Sequence, residues 1–162
     1  MLNDLYFAFG ATIYVGTMWA LRFFFYPSWR SMTPATVFDH FVVPTRAATR
    51  FFTVVVPLMF VAAVVAIVEE WGHAQLWQAA VCLAGVGVSS FVGQVFIIPI
   101  NKRVAAGVAA DAAQRLDQAG LDKLLRRWMA LNDVRWVTTT ITWVAIMWLL
   151  VAKGDLSRAF GR

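Results

Sequence analysis

FFTVVVPLMFVAAVVAIV, residues Phe51–Val68, runs for eighteen positions without a charge. As a helix it would rise about 27 Å, close to the ~30 Å hydrocarbon thickness of a bilayer. Three more apolar stretches of similar reach flank it: Leu5–Tyr26, Trp77–Ile100 and Trp136–Ala152. Together they predict an all-α bundle of four transmembrane helices in a single domain over residues 1–162. The chain has 162 residues, 60% of them hydrophobic and 14% charged, with eight Trp and thirteen Phe. A soluble domain of this length could not hide so much apolar surface, since ordinary surfaces are already 55–60% apolar.

The N-terminal stretch does not read as a signal peptide. Its only preceding charge is Asp4, its apolar run is too long, and no small-residue cleavage site follows. The charge of +5 lacks the basic run with interleaved aromatics of a nucleic-acid binder. It is better explained by topology. Arg22, Arg30, Arg46 and Arg50 flank loop one, and Lys102, Arg103, Arg115, Lys123, Arg126, Arg127 and Arg135 flank loop three: eleven of the fourteen basic residues. The positive-inside rule puts loops one and three in the cytoplasm of a cell-membrane protein, with both termini outside.

Loop three has helical character. Val104–Ala119 is Ala-rich, with Asp111 and Arg115 as an i,i+4 pair, and Gly120 reads as a break. Leu121, Leu124, Leu125, Trp128 and Leu131 then recur at helical spacing. The third helix is expected to extend into the cytoplasm, turn near Gly120 and return through an amphipathic helix into the fourth. A short interfacial helix is expected around Pro34–Val42, and Pro57 is a candidate kink in the second span. Gly85, Ser89 and Gly93 form a small-residue ridge that packs either within the bundle or across a homo-oligomer interface, and Gly16 and Ala20 offer a shorter one.

Polar residues at membrane depth carry the functional reading, because they are costly there and usually pair or line a cavity. Trp128, Asn132, Arg135, Thr139 and Thr142 share one face of the fourth helix. Ser90, Gln94 and Asn101 share a face of the third, and Trp19, Arg22 and Tyr26 a face of the first. Turned inward, these stripes would make a cytoplasmic-side pocket. The competing reading makes Asn101, Asn132 and Arg135 a hydrogen-bond clasp between two helices. Lys102, Arg103, Arg126 and Arg127 are read as interfacial anchors, and Arg22 could snorkel likewise.

His40 and His73 fall on opposite sides of the membrane, which argues against a two-histidine haem or metal site within one chain. His40 is either an exposed loop residue or a base near the pocket. Cys82, the single cysteine, has no partner for a disulfide and reads as packing.

With Pro27 after the first helix, Pro99-Ile100-Asn101 closing the third and Trp128-x3-Asn132-x2-Arg135 opening the fourth, the chain resembles the DUF1772, or anthrone oxygenase-like, family of small four-helix membrane proteins. The resemblance spans nearly the whole chain in hydropathy, but its specific part is these short motifs. It implies oxygen-dependent oxidation of a lipophilic aromatic and points to Asn101, Trp128, Asn132 and Arg135. A physical mechanism for such a site has Arg135, with Asn132 and Asn101 as donors, stabilise a phenolate or enolate, and His40 or a water take the proton. Trp128, Gln94, Arg22, Tyr26 and Thr139 would contact the substrate. Two other readings stand beside it. One is a non-catalytic membrane subunit, assembly factor or small-molecule binder. The other is a haem or metal protein using His40, although the sequence itself requires no cofactor.

Overall fold

A computed structural model describes residues 2–110 and 115–154. The described residues form four long helices and no strand: α1 Leu2–Trp29, α2 Phe38–Glu69, α3 Leu76–Ala109 and α4 Gln118–Ala152. Each encloses one of the expected apolar spans, and each is long and apolar enough to cross a bilayer. Phe9, Phe24, Val54, Val61, Ile141, Val144 and Trp148 stand exposed on the outer faces. Such a belt would drive aggregation in water and suits contact with lipid. The chain has the architecture of a multi-pass membrane protein.

The helices run up and down, so α1 and α4 are antiparallel neighbours in a steady register. Trp143 Nε1 donates to Thr12 Oγ1 at 3.0 Å, Arg22 pairs with Asp133, and Tyr26 OH donates to the Met129 carbonyl at 3.1 Å. Each pair of residue numbers sums to about 155, as two antiparallel rods of equal rise require. Lys153 Nζ reaches Asp4 Oδ2 at 2.8 Å and Glu70 Oε1 at 2.6 Å. The end of α1 and the start of α4 thus share one end of the bundle, and the turn between α2 and α3 lies at the other, with Lys153. The basic residues around the two remaining connections gather at the end opposite Lys153.

At that basic end three helices each contain one wide turn, closed by a bond from residue i+5 to residue i. Tyr26 N–H bonds to the Leu21 carbonyl, Val43 N–H to Phe38 and Ile98 N–H to Gly93. A proline comes immediately after in every case: Pro27, Pro44, Pro99. Proline lacks an N–H, and its ring crowds the carbonyl four residues back. A wide turn relieves that crowding without ending the helix. For the same reason Val37–Val42 does not form a separate interfacial helix. It supplies the opening turns of α2, with Thr33–Thr36 as the turn before it.

The third connection also differs from expectation. α3 ends at Ala109, and Ala110 is extended. Arg115–Asp117 is not helical, and Asp111, with its expected pairing to Arg115, lies outside the described residues. Gly120 does not break a helix. It sits in the first turn of α4, where its N–H donates to the Asp117 carboxylate at 2.8 Å. A Cβ on Gly120 would come within 2.8 Å of that same oxygen. The glycine makes room for the cap.

The Gly85–Ser89–Gly93 ridge packs within the bundle. Gly85 and Ser89 are buried. A Cβ on Gly85 would collide with Thr142 Oγ1, and the nearest atoms to a Cβ on Gly93 belong to Arg135. Gly16 has open space over it.

Candidate functional site

Two apolar clusters make up the interior. One, from Phe7 to Leu150, fills the half towards Lys153. The other gathers Trp29, Phe41, Ile97, Val104, Leu121 and Trp128 at the basic end. Trp29, Phe41 and Trp128 meet edge to face with centroids 4.9–5.5 Å apart, tying α1, α2 and α4 together. Each such pair is worth about 0.5–1.5 kcal/mol beyond its burial.

Between the clusters lies a polar layer. Arg135 Nη2 donates to Tyr14 OH at 2.6 Å and Nη1 to Asn132 Oδ1 at 3.1 Å. Asn132 is fully buried and donates through Nδ2 to Tyr26 OH at 3.1 Å. Tyr26 in turn donates to the Met129 carbonyl. Asn101 Oδ1, half-buried on α3, accepts from Trp128 Nε1 at 2.8 Å. Three of the residues singled out in the sequence, Asn132, Arg135 and Tyr26, therefore form one chain of bonds. Asn101 and Trp128 form a second, adjacent bond.

The layer leaves little room. The cavity beneath it, lined by Tyr14, Ser89, Thr139 and Thr142 among others, holds about 10 Å³, the space of roughly one water. Thr139 is buried and bonds back to the Arg135 carbonyl at 2.8 Å. That cavity is too small for an aromatic substrate, and the Arg135 guanidinium is engaged by Tyr14 and Asn132 in the clasp.

Two expected members are elsewhere. Gln94 is exposed, because the wide turn at Gly93–Ile97 disturbs the α-helical spacing that put it on the face of Asn101. An extra residue in a turn rotates the rest of the helix by about 100°. His40 is exposed in the wide turn opening α2, and its side chain has no hydrogen-bond partner among the described residues. No group of three or more His, Cys, Asp or Glu side chains placed to hold a metal occurs among the described residues. Cys82 is buried as a free thiol.

The open space lies one step outward. A groove of about 770 Å³ runs between the end of α1 and the start of α4. Tyr26, Trp29, Leu125 and Met129 line its apolar part, and Arg22, Arg30, Arg126, Asp122 and Asp133 its polar part. Arg22 does not snorkel freely. It is paired with Asp133 and lies 4.5 Å from the Trp136 ring centroid.

Sequence reading passed over Tyr14, Asp133 and the Asp4–Glu70–Lys153 cluster. A signal for two of the pairs existed. α1 carries only Asp4 and Arg22 as charged residues, and α4 beyond Trp128 carries Asp133 and Arg135 with Lys153 just after it. Antiparallel pairing of opposite charges matches Arg22 with Asp133 and Asp4 with Lys153. Nothing local marks Tyr14, whose hydroxyl is recruited by a residue 121 positions away.

Fold and site together define a four-helix membrane protein with a closed polar clasp beside an open, aromatic-floored groove. Compared with protein-family models, characterised proteins and solved structures, the chain matches none.

Proposed function

We propose that this chain is an integral membrane protein, its basic end in the cytoplasm and both termini outside, that takes a lipophilic small molecule into the groove between α1 and α4. The observation that carries the reading is the groove itself. Its volume of about 770 Å³ is in the ~300–1,000 Å³ range of small-molecule sites, and its apolar floor with a few placed polar groups fits them too. The clasp of Arg135, Asn132 and Tyr14 then acts as the rigid wall behind Tyr26. The basic side of the bundle faces the cytoplasm by the distribution of Arg and Lys.

Oxidation of a lipophilic aromatic by oxygen, the activity implied by the resemblance to anthrone oxygenase-like proteins, is the second reading. What favours it is Tyr26. The residue lines the groove, and its hydroxyl is bonded to Asn132, which accepts from Arg135. A phenolate in the groove would meet Tyr26 and Arg22, with Arg135 acting only through Asn132.

Anthrone, a neutral lipophilic aromatic, serves as the probe for both readings. Quenching of tryptophan fluorescence in purified protein should saturate with anthrone. Ala130→Trp, which fills the groove from an exposed position, should abolish saturation, while Val61→Trp on the outer face of α2 should not. Equal quenching in all three proteins would remove the groove as a binding site. Oxygen uptake above anthrone autoxidation, lost in Tyr26→Phe, would add the reaction; saturable binding without uptake would leave a binder.

A further inference from the structure

The groove ends in a pair of arginines that no carboxylate among the described residues pairs with. The α1–α4 register pairs Arg22 with Asp133 and Tyr26 with Met129. One turn further along α1, the same register sets Arg30 opposite Leu125 and Arg126. Both Arg30 and Arg126 line the groove and are exposed. Neither has an ion-pair partner among the described residues, whereas Arg22 on the same wall is paired. Asp122 also lines this end, but its carboxylate accepts from Gln118 Nε2 at 2.7 Å. The same Gln118 nitrogen is held by the Met32 carbonyl at 3.0 Å.

The charges of the lining therefore divide into an internal pair, Arg22–Asp133, and a remainder of two guanidinium groups and one carboxylate, a net excess of one positive charge. Next to them lies the Trp29 and Leu125 floor. Arg30 directly follows Trp29, the last residue of α1, so the pair sits where a membrane helix meets the headgroup layer. A planar guanidinium fork matches phosphate oxygens better than an ammonium does.

We propose that this end of the groove binds an anionic phospholipid of the surrounding leaflet. Its phosphate sits between Arg30 and Arg126, and the start of its acyl chains lies over Trp29. The proposal rests on the groove being a ligand site and names what its outer end recognises. It also separates Arg126 from the general anchors: Arg103 and Arg127 are exposed at the same end but do not line the groove.

Native mass spectrometry of the delipidated full-length protein tests it, with phosphatidylglycerol and phosphatidylcholine of identical chains as probes. Wild type should retain phosphatidylglycerol at least ten-fold better than phosphatidylcholine. Arg30→Gln/Arg126→Gln should lose that preference, and Arg103→Gln/Arg127→Gln should keep it. Equal loss in both double variants would assign the preference to the basic belt as a whole and overturn the site. Displacement of the lipid by millimolar inorganic phosphate would overturn the lipid as the ligand in favour of the free ion. Circular dichroism of each variant guards against misfolding; should the first double variant fail to fold, Arg126→Lys alone, which keeps the charge but loses the fork, should still weaken the preference several-fold. Anthrone quenching on the same proteins separates the two proposals. Saturable quenching without lipid preference ends this one alone, and lipid preference without quenching ends only the small-molecule reading.

Discussion

The two ends of the bundle solve the same problem in opposite ways. At one end Lys153 is gripped by Asp4 and Glu70, with Glu69 3.9 Å away. Asp4 is 0% and Glu70 5% exposed. At the other, Arg22 and Asp133 pair at a half-exposed edge, three helices are widened by turns before prolines, and a groove stays open beside them. At the first end one ammonium bridges buried carboxylates carried by different helices, so it locks α1, α2 and α4. Charge at the second end is only partly neutralised, and the surplus faces a space that a ligand can enter.

Breaking the firm end should have the largest effect. Lys153→Met takes the ammonium away from the buried Asp4 and Glu70 carboxylates and should cost about 3 kcal/mol, the lower end for a broken buried pair. Unfolding by SDS, followed by circular dichroism, would read it. A loss under 1 kcal/mol would mean that the cluster is not what holds this end. Burial by itself lowers the Lys153 pKa, but hydrogen bonds from its ammonium to Asp4 and Glu70 more than offset this and leave it above the ordinary lysine range. A raised pKa means that the contribution is complete below about pH 10.4, the unperturbed value, and fades only as pH rises past it. The wild-type-to-Lys153→Met difference should therefore stay flat from pH 7 to 9; a decline in that window would contradict the pairing.

The clasp comes next. Arg135→Met removes the bonds to Tyr14 and Asn132 and leaves buried oxygens unsatisfied, a loss of about 1–3 kcal/mol. Because Arg135 stands behind the groove and not in it, anthrone binding should survive in the folded variant; its loss would return Arg135 to the ligand site. Asn101→Leu should cost about 1 kcal/mol by orphaning the Trp128 indole N–H, seen as a lower SDS midpoint and a shift in tryptophan emission. The smallest effect belongs to the open end. Arg22→Met should shift the SDS midpoint least of these variants, since both partners of its ion pair are partly exposed to solvent. A loss as large as that of Lys153→Met would erase the difference between the ends.

Much of this molecule was legible from its residues. The charge-free run Phe51–Val68 and its three counterparts mark four spans, because a bilayer admits few other structures for such segments. Helical spacing placed Asn132, Arg135 and Thr139 on one face, and α4, which has no wide turn, preserved that spacing. Where a wide turn intervenes, as at Gly93–Ile97, the spacing misplaced Gln94. Gly120 was misread because a glycine near a boundary looks alike as a terminator and as room for a cap.

The sequence by itself determined that this chain forms apolar helices with their basic residues gathered around two of the three connections, since hydropathy and charge are properties of each segment alone. Only the tertiary structure decided what the polar residues do. Whether Arg135 faces a pocket or a clasp depends on Tyr14, 121 positions away. Whether Arg22 and Arg30 are compensated depends on the register of α1 against α4. Both are set by packing between distant segments, which no local pattern encodes.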